Sequence, residues 1–211
     1  MARGADATAA FPARPFQFDS VRYFLSDFEL QYADGTVARV ADELEITRAD
    51  GTETTVTDDF VTAEPRRFGA TPLGTLNAPG TLTGVRFLLG LPEAVRTADL
   101  EDFPTGSALD LPATAFNYRS ADGFLPLRLR LVAPPAAADM LDVAVLEPLP
   151  VALAFDPPFV LEPGFDLALT LAVDYAAWLA PLDVVTATET QVRQAIQNGA
   201  ANSFTVLTVE H

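Results

Sequence analysis

No cysteine and no lysine occur in these 211 residues, and the single histidine, His211, is the last. Without cysteine there are no disulfides and no thiolate metal sites. Without lysine there is no amine nucleophile or Schiff base. Without an internal imidazole a seryl nucleophile lacks its usual base. Carboxylates, hydroxyls, Arg, Tyr and backbone are what remain for chemistry. Long apolar runs are missing too: no window approaches the roughly 18 uninterrupted apolar residues of a spanning helix. Gly-rich phosphate loops are also missing.

Acid dominates what is present. Twenty-nine Asp and Glu face 13 basic residues, all of them Arg, for a net charge of −16. Such a surface repels phosphate backbones and anionic bilayers, so neither nucleic-acid binding nor membrane insertion is expected. A GC-rich genome and a salt-rich habitat each produce this bias without any functional cause. The apolar fraction, 49%, is ample for a packed core.

The apolar residues alternate. Phe165, Leu167, Leu169, Leu171 and Val173 skip one position each time, as do Leu127, Leu129 and Leu131 between Arg128 and Arg130. Val143 with Val145, and Leu149, Val151, Leu153 and Phe155, repeat the pattern, whose period of two is that of a half-buried strand. Gly84–Gly90 is mostly apolar and suits a central strand. Asp34-Gly35, Asp50-Gly51 and Asp122-Gly123 predict tight hairpins. Seventeen prolines oppose long helices.

Two helical stretches are expected. One is a turn at Tyr175–Leu179. The other spans Thr188–Asn198, with a Thr cap, Val192, Ala195 and Ile196 on one face, and Gly199 just past its end. Together these signals predict an all-β, antiparallel sandwich-like single domain over residues 16–211, with long loops and one or two short helices. Residues 1–15 read as an Ala-rich lead-in lacking the apolar core of a signal peptide. Ala133–Ala138 reads as a loop inside the domain.

Two segments carry a resemblance. Ser20–Gly35 reads SVRYFLSDFELQYADG, and the region from Gly84 to Leu131 contains GVRFLLGLP, AVRTAD and LDLPATAFNYRSADGFLPLRLRL. These resemble the MbnP-like family, extracytoplasmic proteins associated with methanobactin and copper handling. Arg22, Tyr23, Phe24, Ser26, Asp27 and Leu30 match its first strand, with Asp34-Gly35 at the turn. Gly84, Arg86, Phe87, Gly90, Pro92 and Asp99 match the second segment. The resemblance implies an extracytoplasmic protein whose signal segment has been removed, with any lipoprotein anchor outside these residues.

The departures bear on function. The family's Asn-His falls on Arg96 and Thr97, its aromatic-strand methionine on Thr114, and its two tryptophans on Phe116 and Tyr118. Copper needs imidazole, thiolate or thioether ligands, and the thioethers here are Met1 and Met140 alone. A retained scaffold without its copper ligands is therefore expected, with no catalytic residue, metal ligand or cofactor assigned. Phe116 and Tyr118 either fill the former metal pocket or line it.

Other groups have structural readings. Asp58-Asp59, and Glu101-Asp102 with Asp99 and Asp110, read as solvated acidic loops that could alternatively hold Ca²⁺. Tyr23, Phe24, Phe28, Tyr175 and Trp178 read as packing. Arg128 and Arg130 read as partners of neighbouring acids rather than as a grip on a ligand carboxylate. The expected function is a non-enzymatic extracytoplasmic binding or surface-assembly module with an unknown protein or small-molecule partner. The alternatives are a Ca²⁺-stabilised surface or adhesion module and a carboxylate-dependent hydrolase.

Overall fold

The computed structural model describes residues 17–65, 69–76, 79–110, 115–132, 140–180, 182–183 and 186–211. The lead-in expected over 1–15, Thr114 and the Ala133–Ala138 loop lie outside these. The strands are β1 (Gln17–Tyr32), β2 (Val37–Arg39), β3 (Glu43–Thr47), β4 (Glu53–Thr57), β5 (Val61–Ala63), β6 (Gly80–Leu89) and β7 (Tyr118–Arg119). They continue as β8 (Gly123–Phe124), β9 (Leu127–Val132), β10 (Met140–Val145), β11 (Leu149–Leu161), β12 (Ala168–Val173) and β13 (Phe204–Glu210). The helices are α1 (Glu93–Arg96) and α2 (Glu189–Gly199).

Five strands form the main antiparallel sheet in the order β10-β9-β1-β6-β11, with β2 and β5 pairing with β1 beyond that path. The run from Gly84 lies in β6, between β1 and β11, which is where its near-continuous apolar character places it. A second layer, β12 paired with β13 and flanked by α2, covers one face. Val21, Tyr23, Leu25, Leu127, Leu129 and Val143 of the sheet meet Trp178, Val192, Ile196 and Phe204 there. The architecture is thus the expected antiparallel sandwich.

A smaller cluster occupies the other face at one end. Phe24, Ile46, Phe60, Leu91, Val95, Phe103, Leu109 and Phe124 are buried together under the β3–β4 hairpin and the loops after β6. Ordinary alternation lets β1 serve both cores, Tyr23 and Leu25 facing one and Phe24 the other, and that alternation then breaks. From Val21 to Leu25 the odd residues of β1 point into the main core; after Asp27 the even residues Phe28 and Leu30 do. Asp27 has φ 53°, and the pairing with β6 shifts register between Ser26 and Glu29, a β-bulge.

The three Asp-Gly turns form as expected, with Gly35, Gly51 and Gly123 at φ 86°, 80° and 73°. Two boundaries differ from expectation. The strand foreseen from Phe165 starts at Ala168, because β13 pairs only from Ala168↔Glu210 onward and Phe165 sits in the turn after Glu162, 56% exposed. Gly199 is not a left-handed cap: its φ is −109° and the chain continues as a 3-10 turn to Ser203. Its missing side chain serves packing, since a Cβ there would stand 3.0 Å from the Ala177 carbonyl oxygen. At its start α2 behaves as read, Thr188 and Gln191 forming a capping box.

Candidate functional site

Asn117 positions the segment that carries Phe116 and Tyr118. Its side-chain amide, fully buried, donates to the carbonyls of Arg22 (3.0 Å) and Leu125 (2.9 Å), while the Leu125 amide donates to its backbone oxygen (2.6 Å). A short 3-10 turn, Ala115–Asn117, is thereby pinned to β1. Among the described residues Asn117 Oδ1 has no hydrogen-bond partner.

That clamp sends the two aromatic side chains to different places. Tyr118 packs edge-on against Phe124 (5.5 Å between centroids), which itself meets Phe24 at 6.0 Å and Phe103 at 5.4 Å. Tyr118 therefore fills the smaller core. Phe116 lies instead on the polar face of β1 and β9, beneath arginines. The guanidinium carbons of Arg128, Arg130 and Arg22 stand 4.7, 5.0 and 5.8 Å from its ring centroid.

Strand register gathers these arginines. Arg22 is opposite Arg128 across β1 and β9, and Arg130 is opposite Asp142 across β9 and β10. Because Leu127, Leu129 and Leu131 face the core, Arg128 and Arg130 must share the other side. Arg128 donates to both carboxylate oxygens of Asp142 (2.8 and 2.6 Å) and to the Phe116 carbonyl (2.6 Å). Arg130 Nε reaches Asp142 at 3.3 Å, and Arg119 stands 3.8 Å from it. Arg22 pairs with Glu64. The Arg128 hydrogen bond, helped by Arg130, holds the Asp142 carboxyl below its usual range. The pairing with acids foreseen for Arg128 and Arg130 thus converges on one aspartate; the ring beneath them was not anticipated.

Thr97 and Arg96, two further family positions, make no cage among the described residues. The Thr97 hydroxyl donates to the Glu93 carbonyl (3.2 Å), and Arg96 donates to the Asp122 carbonyl (2.8 Å). Gly123 lies so close that a Cβ there would meet the Arg96 carbonyl oxygen at 2.1 Å. Hydroxyl, phenol, phenyl and guanidinium groups do not fit a soft metal ion, and the guanidiniums repel any cation.

The acidic loops need one correction. Asp58 is exposed, but Asp59 is 1% exposed: its carboxylate accepts the Asp27 amide (3.0 Å) and the Phe28 amide (2.6 Å). It anchors the β1 bulge, and the solvated reading fails because the bulge turns two backbone donors inward that need an acceptor. Burial raises its pKa to about 6 against the opposing pull of those amides. In the other loop, Asp102 accepts the Thr47 amide, Asp99 the Glu101 amide and Asp110 the Gly106 amide. These three carboxylates are directed at backbone, and among the described residues no three His, Cys, Asp or Glu side chains gather as a metal-holding group. Leu25 followed by Phe28, a spacing of three inside an alternating strand, is the sequence signal that could have exposed the bulge.

The family model described as MbnP matches residues 5–197. A solved structure, MbnP from Methylosinus trichosporium, is similar with a TM-score of 0.41 and 13% identity, over 78% of this chain and 67% of that one. No curated protein matches by sequence.

Proposed function

The chain belongs to the MbnP family, and on that premise we propose that it is a non-enzymatic, extracytoplasmic binding module of the family whose copper site is degenerate. The observation that carries this reading is the surroundings of Phe116 and Tyr118. Where the resemblance puts the family's tryptophans, one ring is packed into a core and the other is covered by three guanidiniums. Thr97, in the histidine position, offers a hydroxyl already committed to its own helix. A scaffold that keeps the fold and turns its former pocket cationic is suited to binding something other than a metal ion.

The test is metal content. Purified, tag-free protein offered Cu(I) and Cu(II) and then desalted should retain no stoichiometric copper by elemental analysis. Tight one-to-one loading would end the proposal. Calcium stabilisation is the competing reading, and melting temperature titrated against Ca²⁺ with a chelator control separates the two, since a ligand bound by the folded state raises stability by mass action. The carboxylates' engagement with backbone amides favours no rise.

A further inference from the structure

We propose that the arginine face around Phe116 is a binding site for a carboxylate-bearing ligand; this deepens the binding role proposed above and rests on it. Arginine is scarce in this protein, 13 residues against 29 acids. Yet Arg22, Arg119, Arg128 and Arg130 converge on one face, where they pair, among the described residues, with Glu64, Asp122 and Asp142. Asp142 alone is flanked by three guanidiniums, so its immediate neighbourhood is net positive on a strongly negative molecule.

The guanidiniums divide into two kinds. Arg128 is structural: bidentate to Asp142, bonded to the Phe116 carbonyl, its side chain 13% exposed. Arg130 and Arg119 flank that same carboxylate from the solvent side, with side chains 33% and 40% exposed. Among the described residues Arg130 uses only Nε in a hydrogen bond, which leaves both terminal nitrogens as donors. Arg119 touches Asp142 and Asp122 only at 3.8 and 3.9 Å, beyond hydrogen-bond length. These are spare forks, and a planar carboxylate is the anion whose two oxygens match a guanidinium fork. The ring of Phe116 holds Arg130 from below, so less side-chain freedom is lost when a ligand arrives.

Isothermal calorimetry with citrate, with a blocked hexaglutamate peptide, and with sodium sulfate and sodium chloride at matched ionic strength tests the site. The expected result is saturable binding of citrate, the peptide or both, exceeding that of sulfate and chloride. The tighter of the two carboxylate probes tells whether the group arrives on a free acid or on an acidic chain. Arg119→Gln with Arg130→Gln should weaken it about tenfold while the circular dichroism spectrum and melting temperature stay near those of the unsubstituted protein. Arg39→Gln, on the distant β2, should leave binding unchanged. No saturable carboxylate binding, sulfate binding as tight as carboxylate, or an unaffected double variant would each overturn the proposal. Copper loading is read separately by elemental analysis, so failure of the metal argument and failure of the anion site are distinguishable.

Discussion

Asp59 accepts the Phe28 backbone amide at 2.6 Å from a loop 31 residues further along the chain. That contact, with the Asp27 amide on the other oxygen, holds the one non-glycine residue with positive φ among the described residues. The bulge it secures reverses which residues of β1 face the main core, putting Tyr23 and Phe28 on the same side despite their odd spacing.

Stability should carry the signature of this buried acid. Its folded pKa, about 6, lies above the unfolded value near 3.9. The folded state therefore binds the proton more tightly, and stability contributed by the protonated form is lost as pH rises from about 4 to about 6. Asp59→Asn removes that titration. Unfolding free energies of the two proteins from urea titrations, subtracted across pH 4–7, should move in favour of the variant with rising pH by about 2–3 kcal/mol. A flat difference would show that the carboxyl titrates normally.

Gly123 and Gly51 have similar positive φ but different surroundings. Gly51→Ala meets open space and should cost roughly 1 kcal/mol of backbone strain. Gly123→Ala adds a collision with the Arg96 carbonyl and should cost well over about 2 kcal/mol. Equal denaturation midpoints for the two variants would contradict the close approach of α1 to the β7–β8 turn.

Asp142→Asn should destabilise by about 1 kcal/mol near neutral pH, an exposed-pair magnitude raised by the bidentate geometry. Its folded pKa is lowered, so the contribution is present above the unfolded pKa near 4 and fades as pH falls toward the depressed folded value. Melting temperatures of the two proteins should converge in acid; a gap persisting at pH 2 would place the effect in packing.

Trp178 is the sole tryptophan, fully buried, its indole N–H donating to Ser203 Oγ at 2.7 Å. Emission should be blue-shifted in the folded protein and move red in one step on unfolding. Ser203→Ala orphans the indole donor and should lower stability by about 1–3 kcal/mol; an unchanged urea midpoint would argue that this hydrogen bond contributes nothing.

Much of the architecture was legible because strands print a period of two on the sequence and tight hairpins demand Asp-Gly. Leu127, Leu129 and Leu131 fall inward and Gly35, Gly51 and Gly123 take left-handed backbone for those reasons. Less visible was what depends on strand register. Asp58 and Asp59 are indistinguishable as letters, and only the bulge in β1 decides that the second is buried. Arg22 and Arg128 lie far apart in sequence, and only their opposition across β1 and β9 brings both over Phe116.

By itself the chain determined its sheet-forming pattern, its turns, its excess of acid and its want of imidazole and thiolate donors, since these are properties of residue type and local spacing. Tertiary structure alone decided where scarce positive charge collects and which carboxylates face backbone instead of water. Those outcomes follow from strand pairing between distant segments, which no local pattern encodes.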